Sequence, residues 1–322
     1  MNLKLEVCAV GVFLASGALF AQDEWTRLME RGQAFERDAN YAEAAASYRD
    51  AVRIAQGHQL MVALNSLGLA YEEMGRFPDA ERYFRRALAM LEDTQGNNKP
   101  DYALLLTNLA LLYREAGQTT KSEALLRHVI SIEADTLPLD DACLTLARAA
   151  LAELVLIDGR HEDAERMLQE SLAVFEQHPE RWRQEIGTVL GDIGVVREFE
   201  GRNEEAIQLY RQAIATHEAD LGPVHPILIR PLINMARVQA AAGRQDEADA
   251  IFRRAVAIAE QRLGPEHPAY SDVLMCYARF LRATGHKREA KLLEARSRIA
   301  RQENARRDGV GLTVDTSAFR QK

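Results

Sequence analysis

An all-α protein is the expectation here, built as an α-solenoid of stacked antiparallel helix pairs. Three observations carry it. Glycines recur at one spacing of 42 residues, at Gly75, Gly117, Gly159, Gly201, Gly243 and Gly285. Between them the apolar residues recur at three and four, the period of a helix with one buried face. No stretch within the repeats alternates as a half-buried strand does. Self-similarity at a fixed period means one supersecondary unit copied end to end.

Each period reads as a helix, a tight turn and a returning helix. Leu64 to Tyr71 reads as a first helix, and Asp79 to Leu88 as a second. The glycine falls between them, where a helix end needs a left-handed residue. Five residues after the glycine stands a small residue: Ala80, Ser122, Ala164, Ala206, Ala248 and Ala290. Seven before it stands another: Gly68, Ala110, Ala152, Gly194, Ala236 and Ala278. Nine after it comes a large apolar side chain, Phe84, Leu126, Leu168, Tyr210 and Phe252, until Glu294 departs in the last copy. Small residues permit the close approach of two antiparallel helices, whose axes pack about 8–10 Å apart.

An earlier copy precedes the series. Gly32, Phe35, Ala39, Ala44, Tyr48 and Ala51 match Gly68, Tyr71, Gly75, Ala80, Phe84 and Ala87 at an offset of 36. Seven repeats result, with units near 23–58, 59–100, 101–142, 143–184, 185–226, 227–268 and 269–306. The connections between units are themselves periodic. Leu221-Gly222-Pro223-Val224-His225-Pro226 recurs as Leu263-Gly264-Pro265-Glu266-His267-Pro268. Glycine past one helix and proline at the first position of the next is helix punctuation, so both histidines are read as structural.

The ends differ from the repeats. Lys4, a short apolar run from Val7 to Ala21, then Gln22-Asp23-Glu24 describe a secretory signal peptide over residues 1–21, too short for a membrane span of about 20 apolar residues. Cleavage after Ala21 is expected, with an uncleaved anchor as the other reading, so the membrane is met only through this leader. Residues 22–306 form one continuous solenoid and 307–322 a tail. Lys287, Arg288, Lys291, Arg296, Arg298, Arg301, Arg306 and Arg307 make the final helix basic. That suits the polar outer face of a terminal repeat, or an acidic partner or lipid headgroup. Cys143 and Cys276 lie three repeats apart, roughly 30 Å, beyond the reach of a disulfide.

The order Leu67-Gly68-x-x-Tyr71, then Gly75, Ala80, Phe84 and Ala87, resembles the tetratricopeptide repeat. The 42-residue spacing, the phrase Asn108-Leu109-Ala110-Leu111-Leu112-Tyr113 and the LGPxHP loops are similar to the kinesin-light-chain variety, which lengthens the common unit of about 34 residues. The resemblance covers roughly residues 23–306. It implies a right-handed solenoid whose first helices line a groove for protein or peptide. It also implies asparagine two residues before the small Gly/Ala. That row reads Ser66, Asn108, Ala150, Asp192, Asn234 and Cys276, so Asn108 and Asn234 match and the others depart.

Neighbouring rows are mixed. One reads Asn65, Thr107, Ala149, Gly191, Ile233 and Met275. Another reads Leu69, Leu111, Glu153, Val195, Arg237 and Arg279. Two late arginines suit an acidic side chain or a C-terminal carboxylate, or are simply solvated. Leu69 and Leu111 either pack between first helices or offer an apolar floor to a peptide. Asn65, Asn108, Asn234, Arg237 and Arg279 are therefore the expected groove contacts.

No nucleophile motif, phosphate loop or dinucleotide fingerprint appears. His161-Glu162-Asp163 reads as a solvated helix start favoured by the helix dipole, and His217-Glu218 lacks a partner pair at ligand spacing. No catalytic residue, metal or cofactor is expected. The net charge of −8 argues against a nucleic-acid partner. The expectation is an exported, non-catalytic scaffold or adaptor, periplasmic or secreted in a bacterium, that binds protein or peptide. A protein self-associating through its ends, or a regulatory module acting with a separate enzyme, is the alternative.

Overall fold

The computed structural model describes residues 19–92, 99–134 and 142–308. The leader before residue 19 and the tail after residue 308 lie outside the described residues. Among the described residues there are helices and turns and no strand. Fourteen α-helices follow as seven pairs: α1 (Leu19–Arg37) with α2 (Tyr41–Ile54), α3 (Gly57–Glu73) with α4 (Phe77–Glu92), and α5 (Lys99–Glu115) with α6 (Thr119–Ala134). After these come α7 (Ala142–Ile157) and α8 (His161–Phe175), α9 (Arg183–Phe199) and α10 (Asn203–Leu221), α11 (Ile229–Ala241) and α12 (Gln245–Ile258), and α13 (Pro268–Ala283) and α14 (Lys287–Asp308).

Helices pack within pairs, as in α3 on α4 or α9 on α10. They also pack between pairs, α2 on α3, α4 on α5, α8 on α9, α10 on α11 and α12 on α13. First helices touch one another as well, α3 with α5, α9 with α11 and α11 with α13. Contacts in a repeat array join nearest neighbours only, and here they divide the chain into two compact units at Ala147 and Arg148, within α7. Each unit is a stack of helix pairs.

Every pair turns in the same way. Gly75 has φ of 67°, its N–H reaches the Glu72 carbonyl at 2.8 Å, and the Arg76 N–H reaches the Tyr71 carbonyl at 2.8 Å. These two bonds satisfy carbonyls that a helix end would otherwise leave unpaired. The same two bonds recur at Gly117, Gly159, Gly201, Gly243 and Gly285. The first pair makes this turn with an alanine, Ala39, at φ of 54°. Its Cβ is strained there by about 1–2 kcal/mol, whereas glycine costs about 0.5–1 kcal/mol in unfolded-chain entropy. Ala39→Gly is therefore expected to raise stability by about 0.5–1 kcal/mol, read as a higher urea midpoint at unchanged slope. A lower midpoint would contradict this account.

The small residues and the large ones prove to be partners. Ala80, Ser122, Ala164, Ala206, Ala248 and Ala290 are fully buried at the helix crossings. At Gly68 and Gly194 the residue seven before the turn glycine lies under the ring nine after it. A Cβ placed on Gly68 would stand 2.6 Å from the Phe84 ring, and one on Gly194 would stand 2.7 Å from the Tyr210 ring. Gly32 stands in the same close relation to Tyr48. Where the second helix offers only leucine, Leu126 or Leu168, the first carries alanine, Ala110 or Ala152. Phe252 is the exception opposite Ala236, and its ring packs with Tyr277 and Phe280 of the next pair at centroid distances of 5.5 and 5.2 Å.

Polar ties join successive repeats: Arg49 Nη2 donates to the Tyr71 hydroxyl at 2.6 Å and Arg85 Nη2 to the Tyr113 hydroxyl at 2.7 Å. The loop histidines are structural. His225 Nδ1 accepts from the Ile227 N–H at 3.3 Å and His267 Nδ1 from the Ala269 N–H at 3.1 Å, each capping the helix that its proline opens.

Candidate functional site

The first helices carry the side chains from which a site can be built. A helix places residues three or four apart on one face. In α3 and α5 that face comprises Val62, Asn65, Ser66 and Leu69, then Leu104, Thr107, Asn108 and Leu111, without a charge. Asn65 and Asn108 meet across the two helices, Asn108 Nδ2 donating to Asn65 Oδ1 at 2.9 Å. Both residues are buried, and the second half of each amide, Asn65 Nδ2 and Asn108 Oδ1, has no partner among the described residues. A buried polar atom left unpaired costs about 1–3 kcal/mol. This pair therefore holds one unspent donor beside one unspent acceptor.

The same rows in the second unit become polar. The position of Val62 and Leu104 is taken in phase by Thr188, Arg230 and Asp272. Arg230 Nη2 donates to the buried Asp192 Oδ1 at 2.6 Å and its Nη1 to the buried Glu153 Oε1 at 3.2 Å. Asn234, Asp192, Arg230 and Thr188 line a cavity of about 20 Å³ with Gly187 and His217, room for one water. His217 is buried with its ring on Gly187, and its Nδ1 has no partner among the described residues. Burial, and then the neighbouring His225, pull His217 down to about 4, so the ring is neutral at pH 7.

Of the two late arginines, Arg237 is engaged. Its Nη2 lies 2.6 and 2.7 Å from the two oxygens of Glu198, which also accepts from the Tyr210 hydroxyl at 3.1 Å. Arg279 is exposed. Between them lies Cys276, whose thiol is pushed up by burial and then by Asp272, against the pull of Arg279 and Arg237. Burial also raises the Asp272 carboxyl, opposed by Arg301 at 3.6 Å. The five expected contacts thus fall in two groups. Asn65 and Asn108 are joined in the first unit; Asn234, Arg237 and Arg279 lie on α11 and α13 of the second.

Arg230 was not singled out from sequence; Asp192 and Glu153 stood there only as members of the rows, and His217 only as a rejected metal ligand. Their signal was the in-phase change from Val62 and Leu104 to Thr188 and Arg230. Among the described residues, no group of three or more His, Cys, Asp or Glu is gathered to hold a metal ion. No helix among them is long and apolar enough to cross a membrane.

A family model described as tetratricopeptide repeat matches residues 59–133 and 185–261. A search of curated proteins gives no match. Among solved structures, a Rap protein complexed with Competence and Sporulation Factor aligns with a TM-score of 0.64 at 14% identity, over 91% of this chain and 89% of that one. NprR in complex with its cognate peptide NprX aligns with a TM-score of 0.64 at 13% identity, over 88% and 79%. BtubC (BKLC) from P. vanneervenii aligns with a TM-score of 0.49 at 22% identity, over 74% and 92%. At 13–14% identity the likeness to the first two is one of fold.

Proposed function

Since the chain is a tetratricopeptide repeat protein, we propose that it is a non-catalytic scaffold binding segments of other proteins along the face of its first helices. The observation that carries this reading is the Asn65–Asn108 pair. Both amides are buried in the free chain; where the seam between α3 and α5 opens to a segment, their unspent donor and acceptor match the C=O and N–H of its backbone, which every peptide presents whatever its sequence. The uncharged rows around it, Val62, Leu69, Leu104 and Leu111, would cover apolar side chains of the same segment. Asn234, Arg237 and Arg279 would supply polar contacts in the second unit. The two fold neighbours that were solved with a peptide or factor bound give the reading general support.

We place this scaffold outside the cytoplasm, on the strength of the leader-like run from Val7 to Ala21 ahead of Gln22. Mass spectrometry of the mature chain tests that placement, and an N-terminus that retains Met1 in the envelope fraction would favour the anchored form.

Binding is tested by capture from envelope extracts on the parent chain, on Asn65→Ala with Asn108→Ala, and on Asn234→Ala with Arg237→Ala and Arg279→Ala. Proteins held by the parent should be depleted by about tenfold on at least the first variant, as expected for a loss of about 1.4 kcal/mol. The same proteins in the same amounts on all three chains would sink the reading. If the parent captures only itself, the chain is an assembly protein instead.

A further inference from the structure

The last helix offers a second docking surface, distinct from the first-helix face. In five of the preceding pairs the second helix packs on the first helix of the next pair, as α4 does on α5 and α12 on α13. Helix α14 is a second helix with no described helix after it. Its inner side is set against α13, with Ala290, Ser297 and Ala300 buried and Ser297 Oγ donating to the Ser271 carbonyl at 3.0 Å. Its outer side leaves Leu292 66% and Ile299 55% exposed. With Arg288, Ala295 and Gln302 these residues fall at alternating spacings of four and three, the a/d seam by which one helix receives another.

One edge of this seam, with Lys291 and Arg298, is cationic, while Glu289, Arg296 and Glu303 run along the other edge. Arg296 and Arg301 of the same helix are engaged by Glu260 and Asp272. Lys287, Arg288, Lys291 and Arg298 are exposed and have no carboxylate partner among the described residues. Elsewhere on the second helices, arginines such as Arg85, Arg127, Arg166 and Arg253 each hold an acid on their own helix.

We propose that α14 docks an acidic amphipathic α-helix of a partner protein, lying where the first helix of a further repeat would lie. The partner's apolar residues cover Leu292, Ala295 and Ile299, and its carboxylates face Lys287, Lys291 and Arg298. A lipid surface fits less well, because an interfacial helix buries a broad apolar face and this stripe is narrow. A second copy of α14 would bring the same cations against these cations, which repels.

The test uses the full chain and a labelled synthetic helix of about three heptads, with leucine at a and d and glutamate at the flanking positions. Fluorescence anisotropy should report binding that weakens as salt rises. Affinity should fall by at least about tenfold in Leu292→Glu with Ile299→Glu. Lys291→Glu with Arg298→Glu should turn the preference toward a lysine-flanked version of the same helix. Asn65→Ala with Asn108→Ala should leave this binding unchanged, which separates the two surfaces. The proposal is overturned if the acidic helix fails to bind or binds both double variants as it binds the parent. It is equally overturned if phosphatidylglycerol vesicles bind the parent while the helix does not, or if sedimentation shows a dimer that Ile299→Glu breaks.

Discussion

Taking the protein from pH 7 to pH 4 is expected to cost about 3 kcal/mol of stability through a single imidazole, that of His217. The ring lies inside α10, buried against Gly187 of α9. An imidazolium there would lose its water, so burial holds His217 near 4, where an exposed histidine titrates at about 6.5. The sign follows from proton counting. Between those two values the unfolded chain binds the proton and the folded chain does not, so stability falls as pH falls. Above about 6.5 both states are neutral and the contribution is flat. Carboxylates titrate in the same window, so the informative quantity is a difference between two proteins. His217→Phe keeps a flat ring over Gly187 and removes the titration. Denaturant unfolding of both at pH 7 and pH 4.5 should show the parent losing about 2–3 kcal/mol more than the variant. Equal losses would mean that His217 is hydrated or paired in the folded state.

Gly194→Ala should destabilise the chain by about 1–3 kcal/mol, a large effect for one methyl group. The new Cβ would sit 2.7 Å from Tyr210 Cε1 and 3.0 Å from Cδ1, inside van der Waals contact. Tyr210 is fully buried and tied through its hydroxyl to Glu198 at 3.1 Å, so its ring has nowhere to withdraw. The corresponding positions one repeat earlier hold Ala152 and Leu168. Adding Tyr210→Leu to Gly194→Ala should therefore recover part of the loss, although the Glu198 bond goes with the ring. A double variant as unstable as the sum of the two singles would show that the ring and the glycine are not coupled.

The helix pairs were legible because their determinants are local. Glycine at a positive φ, a proline that opens a helix and apolar spacing of three and four each act within a few residues. The rows of small and large residues were also visible, but that Gly194 lies beneath Tyr210 is a contact across 16 positions, and the rows alone do not state it. Side-chain partnerships were less legible still. Asn65 and Asn108 stand in different rows, so aligning the repeats in phase separates two amides that meet in space. Arg237 read as a free groove cation, and its partner Glu198 lies on the preceding first helix. His217 was judged by whether it had metal-ligand neighbours, whereas its determinant is Gly187, which makes space for the ring.

The matching of glycine with an aromatic ring, and of alanine with leucine, also bears on how the chain avoids folding in the wrong order. All the helix pairs share one turn, which by itself would let a first helix accept the second helix of a neighbouring repeat, or of another molecule. Size opposes the exchange between a glycine–aromatic pair and an alanine–leucine pair. Setting Ala152 beneath Tyr210 drives a methyl group into the ring, while setting Gly194 beneath Leu168 leaves a hole where the ring had been. The volume of two side chains thus marks which kinds of helix belong together, while pairs of one kind, such as Gly68 with Phe84 and Gly194 with Tyr210, share the same mark.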